Sequence, residues 1–162
     1  MVQHAATRTI DATEEPVTVA EFKEHAKIED NFSDALLPGF IRAARKACEK
    51  HCQRSFMTQT WRIELDGWPT PYEGERFRVI ALPHRPIQGI TLLTVDGEAV
   101  AATSNYAVRG SELRVNSTVS APGEDVTDGI VIDYTAGYGD ADDVPEDLKL
   151  AVKMLALHYF EG

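Results

Sequence analysis

Several absences narrow the field. No apolar run approaches the roughly 18–20 residues that a membrane-spanning helix needs, and cysteine occurs only at Cys48 and Cys52. No membrane partner is expected on the first count. The second leaves no disulfide framework and makes a reducing cytoplasm the default compartment. Basic charge is scarce as well: 16 Lys and Arg stand against 26 Asp and Glu, a net charge of −10. Wrapping nucleic acid takes a basic surface that neutralises phosphates, so broad DNA binding is not expected. The opening stretch MVQHAATRTIDATEE has no hydrophobic segment of the secretory kind. It is polar and rich in small residues, and residues 1–15 read as a flexible arm that can order on assembly.

What is present is enough apolar material to fold. Hydrophobic residues make up 43% of the 162 positions, sufficient for one domain with a sizeable core, expected over residues 16–162. Pro16 precedes a helix start in which Thr18 caps and Glu21 closes a capping box, with Val17 and Phe22 placed as a hydrophobic staple. That helix is expected to end near Ile28. After the polar break EDNFSD, a second helix starts near Pro38. Leu37, Ile41, Ala44, Cys48 and Cys52 fall on one apolar face of it.

From residue 58 the period changes from helical to two. In TWRIELDGW, Trp61, Ile63 and Leu65 alternate with Arg62, Glu64 and Asp66. RFRVIAL is a further strand; ITLLTVDGEAV reads as a hairpin turning at Asp96-Gly97, and NYAVRGSELRV as another turning near Gly110. GIVIDYTAGY is a last strand, with Ile130, Ile132 and Tyr134 on one face. Helical spacing returns after Asp143, with Pro145 at the first helical position and Leu148, Val152, Leu155 and Tyr159 on a stripe. The fold class is α+β: two N-terminal helices and one C-terminal helix, with an inserted antiparallel region of about five to seven strands.

The stretch TAGYGDADDVPEDLK, residues 135–149, is where chemistry is most worth seeking. Asp140, Asp142, Asp143, Glu146 and Asp147 offer hard oxygen ligands for a divalent cation. Their spacing is not that of an EF-hand loop, and carboxylates gather at helix N-termini for the macrodipole alone. A phosphate loop fails here, because no Gly-Lys-Ser/Thr follows and acids occupy the positions that would meet phosphate. Cys48, His51 and Cys52 lie one turn apart, yet His4, His25, His84 and His158 form no second pair to complete a zinc site. No nucleophile-elbow or Cys-His-Asn signature is present. On the second helix Arg42, Lys46, Lys50 and Arg54 recur every four residues, joined by Arg45, as a basic stripe on an acidic protein. Such a stripe is commonly a solvated face. It also suits the acidic joint of another copy, and head-to-tail contacts between unlike patches close into rings.

Residues 132–161, IDYTAGYGDADDVPEDLKLAVKMLALHYFE, resemble the C-terminal signature of the tailed-phage head-tail connector (adaptor) family, which includes prophage and gene-transfer-agent relatives. PVTVAEFKEHAKI (16–28) is similar to the family's opening helix. Asp34–Phe56 with MTQTWRIELDGWP resembles its long helix and first strand, and VIALPHRPIQGIT (79–91) its proline-bearing segment. The resemblance implies a structural protein, not an enzyme, with no catalytic residue, metal or cofactor. It implies rings, usually of twelve subunits, seated on the portal protein. Such rings meet a tail-side stopper or tail completion protein and continue the channel through which DNA passes without sequence-specific binding. The expected location is the virion neck, after assembly in the bacterial host cytoplasm. Family chains commonly carry a basic tail beyond the last helix. With the sequence ending at Gly162, the resemblance either leaves the portal contact without that route or places it on the last helix and its flanking loops. An acidic channel wall would not retain DNA through phosphate contacts.

Two other readings remain at this stage. One is a metal-dependent hydrolase or nuclease using the acidic loop 140–147, with Asp140, Asp142 and Asp143 as ligands. The other is a DNA-binding module using the basic stripe. On the assembly reading, the interface residues are Arg42, Lys46, Lys50, Arg54, Asp140, Asp142, Asp143 and Glu146.

Overall fold

A computed structural model describes residues 4–162. The described residues fall into two compact units, one built from Gln59–Gly137 with residues 4–11, the other from Ala12–Thr58 with Tyr138–Gly162. Each closes its own hydrophobic core. The insertion expected from the change of period is the first of these units.

The inserted unit is all β. One antiparallel sheet has the order β1-β2-β8-β4-β5 and a second the order β3-β7-β6. The strands are β1 (Thr7–Ile10), β2 (Gln59–Leu65), β3 (Phe77–Ala81), β4 (Ile87–Val95), β5 (Glu98–Ala99), β6 (Tyr106–Arg109), β7 (Glu112–Asn116) and β8 (Ile130–Ala136). Alternation does the work in β2 and β8, which pair in full register from Gln59↔Ala136 to Leu65↔Ile130. Trp61, Ile63, Leu65, Ile130, Ile132 and Tyr134 turn inward and share a core with Ile80, Leu113 and Val115 of the smaller sheet. On the opposite face of that pair, Arg62 donates to Asp133 through Nε at 2.7 Å and Nη2 at 2.9 Å. The β4–β5 hairpin turns at Asp96 and Gly97, both with positive φ (50° and 82°), as a two-residue turn matched to strand twist requires.

The described residues form eight strands, close to the expected five to seven, and the added one is β1. Thr7–Ile10 pairs antiparallel with β2, Arg8 opposite Trp61. Part of the stretch expected to be a flexible arm is therefore an edge strand. Its side chains are largely exposed, so it carries no apolar alternation to betray it; backbone pairing holds it.

The helical unit contains α1 (Val19–Ala26), α2 (Leu37–Cys52) and α3 (Glu146–Glu161). Thr18 and Glu21 form the expected capping box at α1, Oγ1 accepting from Glu21 N–H at 3.1 Å and the Glu21 carboxylate from Thr18 N–H at 2.7 Å. Val17, Phe22, Leu37, Ile41, Ala44, Val152 and Ala156 are buried together. Two details of α3 differ from the sequence reading. Pro145 has an extended ψ of 139° and stands at the N-cap, with the first helical residue being Glu146. Tyr159 is exposed, and the buried row runs through Val152 and Ala156 to Phe160, which meets Phe22 and Phe40 edge-on at 6.4 and 6.2 Å. Spacing alone did not decide between the two adjacent aromatics. Among the described residues no helix is long and apolar enough to cross a membrane.

Candidate subunit interface

Both features singled out in the sequence, the acidic joint and the basic stripe, lie in the helical unit. The joint follows β8. Tyr138 N–H donates to Phe56 O at 3.1 Å and Thr58 N–H to Gly139 O at 3.2 Å, so residues 138–139 are laid beside the segment that leaves α2. Ala141–Asp143 is a single 3₁₀ turn. Asp143 serves that turn: its Oδ2 accepts the Asp140 N–H at 2.9 Å, while Asp143 N–H donates to Asp140 O at 3.0 Å. Gly139 has φ +130°, and a Cβ there would fall 2.5 Å from Asp143 Oδ2. Asp140 and Asp142 stay exposed and line a hollow of about 400 Å³ with Thr13, Glu14, Met57 and Thr58. A wall so acidic repels phosphate. Glu146 opens α3, and Lys149 approaches it at 3.6 Å.

The basic stripe divides. Arg42, Lys46 and Lys50 are exposed on α2, while Arg54 is half-buried and donates from Nη1 to the Tyr138 hydroxyl at 3.0 Å. Arg54 thus reaches the start of the acidic joint within its own chain, and its role there is at least partly internal. Arg45 does not belong to the stripe. It is fully buried, held by Glu15 and, at 2.9 Å, by Glu49. The other oxygen of Glu49 accepts the Phe56 N–H at 2.7 Å. A helical residue three positions from Arg42 points elsewhere, and its main partner is distant in sequence; neither fact shows in the charge pattern. Arg42 touches the edge of the network, Nε to Glu15 Oε1 at 3.4 Å.

The other candidate chemistries find little support in the geometry. Among the described residues, no group of three His, Cys, Asp or Glu side chains is arranged to hold a metal ion. Burial pushes both thiols up, Cys48 also through its neighbour Cys52 and the carboxylate of Glu49. Cys52 Sγ donates to Cys48 O at 3.0 Å. Both are therefore poor thiolates, suited to packing beside the helical core.

Comparison with known proteins fits a chain whose charged residues cap, pair and face outward. The family model of the head completion proteins matches residues 15–162, and the chain belongs to that family. Among solved structures it is similar to a chain in the neck of an empty gene transfer agent particle, computed with C6 symmetry, at 26% identity and a TM-score of 0.75. That match covers 98% of this chain and 84% of the other. A chain in the neck of the native particle, computed with C12 symmetry, gives 25% identity and a TM-score of 0.71 over 98% and 84%. One from the native virion gives 26% and 0.72 over 97% and 84%. No curated protein matches the chain.

Proposed function

We propose that this protein is a structural adaptor of a phage or phage-like particle, assembling as a ring in the neck between portal and tail and continuing the DNA channel. The observation that carries this reading is likeness over 98% of the chain to a neck subunit solved with twelve-fold symmetry, together with membership of the head completion family over residues 15–162. The role is structural, not catalytic. Twelve copies form the ring on the portal protein, and a stopper or tail completion protein meets its far side. A net charge of −10 suits a channel through which DNA slides without phosphate contacts to hold it. Assembly takes place in the bacterial host cytoplasm.

Within the ring, the exposed basic row Arg42, Lys46 and Lys50 meets acids of the next copy, drawn from Asp140, Asp142 and Glu146. Contact between two unlike patches is the heterologous geometry that a cyclic ring requires. Native mass spectrometry and negative-stain microscopy, on the chain alone and mixed with the portal protein of its particle, test the reading. Rings are expected in at least the mixture. A strict monomer in both, at high concentration, overturns it.

A further inference from the structure

We infer that the outward face of α3 is the centre of the ring contact, an apolar ridge seated on the basic face of α2 of a second copy of this chain. The inference rests on the ring reading above and names the surface that makes it. The core side of α3 is already supplied by Val152, Ala156 and Phe160. Leu150 and Met154 nevertheless stand on the other side, 48% and 59% exposed. They are one turn apart and continue a row that begins at Glu146, whose side chain is 85% exposed. A helix that is apolar on both faces ordinarily has a second covering.

Charge selects the occupant. The row Glu146, Leu150, Met154 is acidic at its start, with Asp147 beside Glu146, and meets a basic residue only at His158 in the last turn. The row Arg42, Lys46, Lys50 on α2 is exposed and wholly basic. Both rows follow the i, i+4 ridge of a helix and rise about 12 Å over eight residues at ~1.5 Å each, so their lengths match. Ridges of this kind interdigitate in the commonest class of helix packing. The methylene stems of Lys46 and Lys50 can cover Leu150 and Met154 while their ammonium groups reach the acids at the start of α3. The two faces lie on different helices, and a contact between unlike patches repeated from copy to copy is the heterologous geometry that closes into a ring. Each copy offers one face forward and one back.

The test uses the full chain with Leu150→Asp and Met154→Asp, read by native mass spectrometry and negative-stain microscopy, alone and with the portal protein. Because both side chains are exposed, the circular dichroism melt should be unchanged. The concentration for half-assembly should rise at least tenfold. A second arm pairs Lys46→Glu and Lys50→Glu with Glu146→Lys and Asp147→Lys; the combined charge swap should recover assembly that either pair alone loses. Rings of wild-type strength in the Leu150/Met154 variant, or no recovery in the swap, overturn the α3 inference and leave the ring reading intact. Absence of rings in the wild type, alone and with portal, overturns both.

Discussion

Arg45 and Glu15 meet as a fork, Nε to Oε2 at 2.6 Å and Nη2 to Oε1 at 3.2 Å, across 30 residues of sequence. The pair joins the segment before α1 to the middle of α2, and Glu49 extends it to the Phe56 backbone. Arg45 is 0% exposed and Glu49 3%. Removing one member of a buried pair leaves an uncompensated charge, at a cost of ~3–5 kcal/mol. Arg45→Leu should therefore lower the melting temperature by roughly 6–20 °C, taking about 2–4 °C per kcal/mol. Arg62→Leu is the comparison: its side chain is 41% exposed, and losing its pairing with Asp133 should cost no more than about 1 kcal/mol. Thermal unfolding followed by circular dichroism separates the two.

The capping box of α1 makes stability depend on pH. Glu21 is held below its ordinary 4.5, first by the Thr18 N–H that its carboxylate accepts. A carboxyl depressed in the folded state contributes stability above its unfolded pKa and loses it as pH falls through the folded value. Glu21→Gln should thus be less stable than wild type at neutral pH, and the gap should close as pH drops below 4.5. Thr18→Ala should cost ~1 kcal/mol. Urea denaturation from acid to neutral pH checks both, and a gap independent of pH would deny the charge a part.

How much of this was legible depended on whether a side chain's reason lay nearby in sequence. The capping box, the Asp96-Gly97 turn and the inward faces of β2 and β8 follow from neighbours a few residues away, and they were readable. Strand β1 was not, because an edge strand with largely exposed side chains has no apolar alternation, and its backbone pairing and the Arg8–Trp61 contact are made with residues some fifty positions away. Nor was the burial of Arg45, whose position among basic residues suggests a surface. The acids of the joint were legible in part: a helix-end preference predicts their gathering, but not that Asp143 turns back to take the Asp140 N–H. The exposed apolar row on α3 was hidden because Leu150 and Met154 look like core residues until the core is seen to be complete without them.

Within the β unit, Trp61 is stacked against His84, centroids 3.6 Å apart and planes 9° from parallel, with the Arg8 guanidinium 4.8 Å from its ring. Burial first, and then the Arg8 charge, hold His84 below its ordinary 6.5. The unfolded chain therefore takes up a proton more readily than the folded one, and stability falls as pH drops below 6.5. His84→Asn should flatten the wild-type slope between about pH 5 and 7, asparagine being chosen because His84 has φ +65° and asparagine tolerates that region. An unchanged slope would assign it to other groups.

Gly139 and Asp143 give a test of the joint itself. Gly139→Ala forces a side chain into a φ of +130° and drives a Cβ against the carboxylate that holds the Asp140 N–H. The expected loss is about 1–3 kcal/mol, measured by thermal unfolding. Asp143→Ala removes only the capping oxygen and should cost nearer 1 kcal/mol.

The basic row can be tested by charge and salt together. Lys46 and Lys50 are exposed on α2, so reversing both should leave the fold intact. If they face acids of the next copy, Lys46→Glu with Lys50→Glu should weaken assembly most at low ionic strength, where the Debye length reaches ~30 Å at about 0.01 M. Near 1 M salt it shrinks to ~3 Å, and the variant and wild type should converge as screening removes what the charges contributed. The apolar ridge on α3 should respond in the opposite sense, its variant remaining deficient at every salt concentration, because burial of Leu150 and Met154 is not screened. Sedimentation velocity across a salt series reads both. Assembly of the lysine variant that matches wild type at low salt would remove the row from the interface.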